Sequence, residues 1–211
     1  MNTYLFDFDG TLVDSMPAYG SVMLRILDEN NIPYDSSLLK IITPLGHSGP
    51  ADYYLKLGIQ ISREEILQRM HTYLLDAYTN HITVKNNVIP VLQTLKKRGC
   101  SLNVLTASPH TMLDVCLKRN GIYDLFDHIW SCDDFATTKS DPEIYRKAAN
   151  CLSCKIDEIL FLDDNYNANL TAKSAGMKTC GVYDDSSKEY ENEIREITDY
   201  YIHDFSELEN L

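Results

Sequence analysis

The sequence predicts an α/β protein, a doubly wound parallel sheet core interrupted early by an all-helical insertion. Three observations carry this. From about residue 85 onward, short apolar strand patterns alternate with helical ones, and such alternation builds parallel strands joined by right-handed helical crossovers. Residues 15 to about 80 show only helix-like groupings. A short hydrophobic strand, Thr3-Tyr4-Leu5-Phe6, precedes that stretch and ends in Asp7-Phe8-Asp9-Gly10-Thr11. The economical division is a core of residues 1–14 and 85–211, with a helical cap of residues 15–84 inserted after the first strand.

Each element has a local reason. In the helical stretch, Leu24, Leu27, Leu38, Leu39, Leu55, Leu57, Ile66, Leu67, Leu74 and Leu75 fall in helix-like groupings. Ser62 followed by Glu65 is a capping box that opens a helix at Arg63, and Tyr53 and Tyr54 read as helical core aromatics. Beyond residue 85, Asn87 to Arg98 reads as a helix stopped by Gly99, its Lys96-Lys97-Arg98 run placed at the negative end of the dipole. Ser101 to Leu105 is a strand, and Pro109 to Asn120 a helix stopped by Gly121. Further strands are expected at His128–Ser131, 158–162, Lys178–Val182 and Tyr200–Ile202.

Composition narrows the function. The 211 residues are 44% hydrophobic with a net charge of -12 and a pI near 4.8. Nucleic acid and anionic membranes need basic footprints, so a small ligand is the expected partner. No stretch approaches a membrane span and the N-terminus lacks a secretory layout, which predicts a cytoplasmic protein. Six cysteines are scattered, and Cys151 and Cys154 lack the second pair or histidines that a zinc site needs. No heptad run demands a dimer, so a monomer is the default.

Four polar strand ends hold the candidate chemistry. In extended chain, residues i and i+2 share a face, so Asp7 and Asp9 point into one pocket. Two facing acids call for a metal ion or for one retained proton. Thr106-Ala107-Ser108-Pro109 ends the strand at 101–105 and opens a helix, a natural anion site; alternatively, Ser108 merely caps that helix. Lys139 precedes a helix opened by Asp141 and Pro142 and is either a phosphate-neutralising ammonium or a solvated surface charge. Asp163 and Asp164 end the apolar run 159–162; either Asp7, Asp164 and a backbone carbonyl supply hard ligands for magnesium, or Asp163 and Asp164 simply cap a helix near Asn167.

Taken together, these motifs resemble the haloacid dehalogenase-like hydrolase superfamily over nearly the whole chain. Asp7 to Thr11 match its Asp-x-Asp-Gly-Thr motif, and Thr106, Lys139 and the Asp163-Asp164 pair match the three that follow. The helical insertion resembles the type 1 cap of the subfamily containing phosphoglycolate phosphatases and beta-phosphoglucomutases, set on a Rossmann-like core. The resemblance implies a Mg2+-dependent phosphatase acting on a small phosphorylated metabolite, with metal ligands among Asp7, Asp9, Asp163 and Asp164. Asp7 would attack phosphorus to form an aspartyl phosphate, Asp9 would act as acid and then base, and Lys139 with Thr106 and Ala107 would bind the phosphate. Asp9 would have to start protonated, which a second carboxylate and desolvation would favour.

Alternatives follow from departures. Dehalogenating relatives would not need Asp9, Asp163 or Asp164, and phosphonate-cleaving ones lack an acid at the Asp9 position. Sugar phosphomutases of this subfamily carry a histidine twelve residues beyond the nucleophile, where this chain has Tyr19. A phosphomutase is therefore the second reading, and a noncatalytic phospholigand-binding protein the third. Specificity is expected in the cap, at Tyr19 and in the glycine- and proline-rich segment 43–50, where His47 and Ser48 are candidate contacts.

Overall fold

The computed structural model describes residues 2–35, 37–42 and 49–211. The chain divides into two compact units, one of Met1–Asp14 with Thr83–Leu211 and one of Ser15–Ile82. The first unit is built on a six-stranded sheet. Its strands are β1 (Thr3–Phe6), β2 (Ser101–Thr106), β3 (His128–Ser131), β4 (Ile159–Asp163), β5 (Lys178–Val182) and β6 (Tyr200–Ile202). All pairings are parallel, in the order β3-β2-β1-β4-β5-β6. The first strand is thus central: Phe6 pairs with Val104 on one side and Leu162 on the other.

Both faces of the central strands are covered, which is why they read as continuous apolar runs. On one face Leu5, Leu105, Ile159 and Phe161 pack with Ile144, Tyr145 and Ala148, and with Ala168 and Ala172. On the other, the Phe6 ring stacks on Tyr4 and Phe205 and meets Phe126 edge-on. Burying each such side chain stabilises the fold by roughly 1.5–3 kcal/mol.

The crossover helices start where local chemistry directs. Pro142–Cys151 is capped by Asp141, whose carboxylate accepts the Glu143 N–H at 2.9 Å, with Pro142 in the first turn. Tyr166–Ala175 is capped by Asn165, which accepts from Asn167 and Ala168. The alternative in which Asp163 and Asp164 merely cap this helix is thereby set aside. His110–Arg119 has Pro109 at its cap position with no side-chain cap, so Ser108 does not cap it. The helix expected from Asn87 spans Val88–Lys97, and Asn87 itself sits at φ 60°.

Among its described residues, the regular elements of the second unit are all helices: α1 (Met16–Glu29), α2 (Leu38–Ile42), α3 (Gly49–Lys56) and α4 (Arg63–Asn80). Ser62 caps α4 by accepting the Glu65 N–H at 3.1 Å, the forward half of the box. Met23, Ile26, Leu27, Ile66 and Met70 are buried, as is Tyr54, whose hydroxyl donates to the Met23 carbonyl at 2.9 Å. In the first unit, the segments leading to and from the insertion pair with each other. The Asp14 N–H donates to the Thr83 carbonyl and the Lys85 N–H to the Leu12 carbonyl, at 2.9 and 3.0 Å. Among the described residues no helix is long and apolar enough to cross a membrane.

Candidate active site

Because β1 lies between β2 and β4, the residues just past three parallel strands meet at one edge. Asp7 follows β1, Thr106 ends β2 and Asp163 ends β4. The carboxyl edge of such a sheet is where ligands bind. Asp7 is 6% exposed, and its N–H donates to the Leu162 carbonyl at 2.8 Å, which continues the ladder by one rung.

Lys139 is no surface charge. Its ammonium inserts between the Asp7 carboxylate and the Asp163 Oδ2, the latter at 2.8 Å, and its side chain is 14% exposed. The Tyr145 hydroxyl, bridging the carbonyls of Lys139 and Ala168 at 3.1 Å each, fixes the loop that carries it. Burial pulls the Lys139 pKa down, but the charges of Asp163 and Asp7 outweigh it and hold the pKa well above the ordinary lysine value.

Asp164 is anchored differently. The Thr11 hydroxyl donates to its Oδ1 and accepts its N–H, both at 3.1 Å. Gly10 makes the close approach possible: its φ is +74°, and a Cβ there would stand 2.8 Å from the Asp164 carboxyl atoms. Asp163 completes its contacts by accepting the Asn165 N–H at 2.7 Å.

Among the described residues, Asp7, Asp163 and Asp164 are the group of acids whose oxygens lie within 4.8 Å of one another. Three carboxylates face one ammonium, and at such separations like charges repel by about 4 kcal/mol at an effective dielectric of 20. Burial, then the neighbouring Asp163 and Asp9 charges against the opposing Lys139, push the Asp7 carboxyl up to about 7. Burial and the charges of Asp163, Asp7 and Asp184 push Asp164 well above the usual carboxylate range. A small cluster of hard oxygen donors with surplus negative charge fits a magnesium ion.

Asp9 stands apart from that cluster. Its Oδ2 accepts the Ser108 hydroxyl at 2.5 Å, and the Ser108 N–H donates to the Thr106 hydroxyl at 3.1 Å. Expected on the same face as Asp7, Asp9 is thus tied to the loop after β2, where Thr106 is buried and Ala107 exposed. Tyr19 lies half-buried on α1 of the helical unit, and burial raises its phenol pKa. His47 and Ser48 lie outside the described residues.

Two residues escaped the sequence reading. Lys85 and Asp184 form a second buried pair at 2.8 Å, and Asp184 is 5% exposed. Asp184 stands two residues past β5, so its place at the same sheet edge was the available signal; its partner lies on a segment with no strand or helix pattern.

Comparison with known proteins agrees with the geometry. The family model described as haloacid dehalogenase-like hydrolase matches residues 4–182. Pyrophosphatase PpaX of Bacillus velezensis is 31% identical over 179 residues, covering 84% of this chain and 81% of the relative. Among solved structures, a candidate beta-phosphoglucomutase from Thermotoga maritima superposes with TM-score 0.83 at 23% identity, covering 100% of this chain and 97% of the other. A mutant of CbbY from Rhodobacter sphaeroides in complex with xylulose-(1,5)bisphosphate gives 0.81 at 19%, covering 99% and 96%. At those identities the structures speak for the fold alone. With the family model spanning the sheet from β1 to β5, and with it every acid of the cluster, the chain belongs to the haloacid dehalogenase-like hydrolase family.

Proposed function

We propose that this hydrolase is a magnesium-dependent phosphatase that cleaves a small phosphate ester or anhydride by transferring its phosphoryl group to Asp7. The observation that carries the reading is the Asp7 carboxylate at the end of the central strand, bonded to the buried Lys139 ammonium beside Asp163 and Asp164. Asp7, Asp163 and Asp164 would hold the metal. Bound there, magnesium draws charge from phosphoryl oxygens and keeps the buried acids ionised.

The residues then divide the work. An Asp7 oxygen forms a bond to phosphorus as the bond to the leaving oxygen breaks, and Asp9 gives that oxygen its proton. Water next attacks the aspartyl phosphate, Asp9 takes the proton back, and the phosphorus–Asp7 bond breaks. Ser108 holds the Asp9 carboxyl during both transfers. Lys139 stays charged throughout and offsets the negative charge gathering on the phosphoryl group. Thr106 and the backbone N–H groups of the Ala107–Ser108 loop supply the remaining anion contacts.

The likeness to the PpaX pyrophosphatases puts pyrophosphate at the head of the substrate panel, followed by phosphomonoesters of small metabolites. A phosphomutase is less favoured, because Tyr19 offers a neutral phenol where the resembling mutases carry imidazole. The experiment is phosphate release from that panel with magnesium. Wild type is expected to turn over one or a few members, and Asp7→Asn to lose turnover by more than about a thousandfold. Absence of release from every member by wild type overturns the phosphatase reading.

A further inference from the structure

The core holds a second buried ion pair that the proposed chemistry leaves unused. The Asp184 Oδ2 lies 2.8 Å from the Lys85 ammonium, and its Oδ1 accepts the Ser186 N–H and hydroxyl at 2.9 and 2.5 Å. Lys85 also donates to the Tyr183 carbonyl at 2.7 Å. A buried ion pair is a weak source of stability, since apolar residues of the same volume do as well. Its position gives a better reason for it. The Lys85 N–H donates to the carbonyl of Leu12, and Leu12 follows Thr11, whose hydroxyl exchanges hydrogen bonds with Asp164. β5 lies beside β4 with Gly181 opposite Asp163, so Asp184, two residues past β5, stands at the same sheet edge as Asp163 and Asp164.

The charges also balance in a particular way. Setting aside the less buried Asp9, which is bonded to Ser108, four buried carboxylates, Asp7, Asp163, Asp164 and Asp184, face two ammonium groups, Lys139 and Lys85. The two charges left over are those of one divalent cation. We propose that Lys85 is a positioning residue for the metal centre: bound to Asp184, it keeps the fourth carboxylate out of the ligand set and leaves a surplus that a single divalent cation neutralises. This rests on the reading of Asp7, Asp163 and Asp164 as the magnesium ligands. It makes the sign of each substitution specific. Asp184→Asn strands a positive charge beside the cluster and repels the metal. Lys85→Met leaves an extra negative charge, and the double variant removes both.

The test is manganese binding to the full chain, read from the electron paramagnetic resonance of the free ion, with circular dichroism confirming the fold of each variant. Asp184→Asn is expected to weaken the manganese Kd about tenfold, Lys85→Met to bind at least as tightly as wild type, and the double variant to return within about threefold of wild type. An unchanged Kd in Asp184→Asn, or a double variant as weak as Asp184→Asn, overturns the proposal. Should Asp184→Asn fail to fold, Lys85→Met decides alone: binding as tight as wild type supports the proposal, and tenfold weakening overturns it. A wild type that binds no manganese overturns the metal reading itself and this inference with it. Binding with the wrong pattern of signs overturns only the inference.

Discussion

Ser108 is a small residue with a large assignment, because its hydroxyl is what the Asp9 carboxyl rests on. Removing a hydrogen bond to a proton-transfer group acts on the chemical step more than on binding. Ser108→Ala is therefore expected to lower kcat about tenfold with KM within about twofold, and Ser108→Thr to recover most of the loss; equal effects on both constants would contradict a role through Asp9. Gly10 carries a different constraint. A methyl group there meets the Asp164 carboxyl at 2.8 Å on a backbone at φ +74°, so Gly10→Ala should destabilise the fold by about 1–3 kcal/mol in urea unfolding. An unchanged midpoint would mean that the loop relaxes freely. Much at this scale was visible in the residues themselves: the acids at the ends of β1 and β4 and the threonine at the end of β2 are marked by where apolar runs stop. The partner of each was not. Ser108 reads locally as a cap, and only the fold brings it to Asp9; Lys85 and Asp184 meet across 99 positions of chain and share no local pattern.

The helix His110–Arg119 begins with an imidazole held between two carboxylates. His110 Nδ1 lies 2.9 Å from Asp114 and Nε2 2.8 Å from Asp134, which also accepts the Ser131 N–H. Each ring nitrogen faces a carboxylate, an arrangement that favours the protonated ring, and the bonds to Asp114 and then Asp134 raise its pKa. A raised pKa in the fold contributes stability that is complete below the unfolded value, near 6.5, and is lost as pH rises through the folded one. The difference in Tm between wild type and His110→Ala should thus be largest at about pH 6 and shrink by about pH 9; a constant difference would leave packing alone as its cause. Element boundaries themselves were largely legible. His128–Ser131, Lys178–Val182 and Tyr200–Ile202 are strands over those residues, because β-branched and aromatic residues bounded by polar turns leave little freedom. The 3₁₀ turn Cys132–Phe135 was missed, since it depends on a capping exchange between Ser131 and Asp134 that has no apolar period.

For the whole molecule, crowded acids link metal binding to pH. Asp7 holds its proton more tightly in the fold than in the unfolded chain, with a folded pKa near 7. Without metal, this group therefore lowers stability as pH rises from near 4 through about 7, and a divalent cation takes the proton's place. Magnesium at a hundred times its Kd is expected to raise Tm by about 5–10 °C at pH 8 and by much less at pH 5. Equal shifts at both values would show that the acids are already ionised without it. The centrality of β1 has a kinetic consequence as well. Phe6 waits for Val104 and then for Leu162, so during synthesis the first strand emerges with no neighbour to pair with, and residues 15–82 are complete before either arrives. Helical segments with local contacts form in microseconds to milliseconds, whereas a parallel sheet must first close long loops. A ribosome-bound chain cut off before β2 therefore carries the helical segments complete and an unpaired apolar strand. The rate at which the acids come together is set by the last strands to arrive, not by the first.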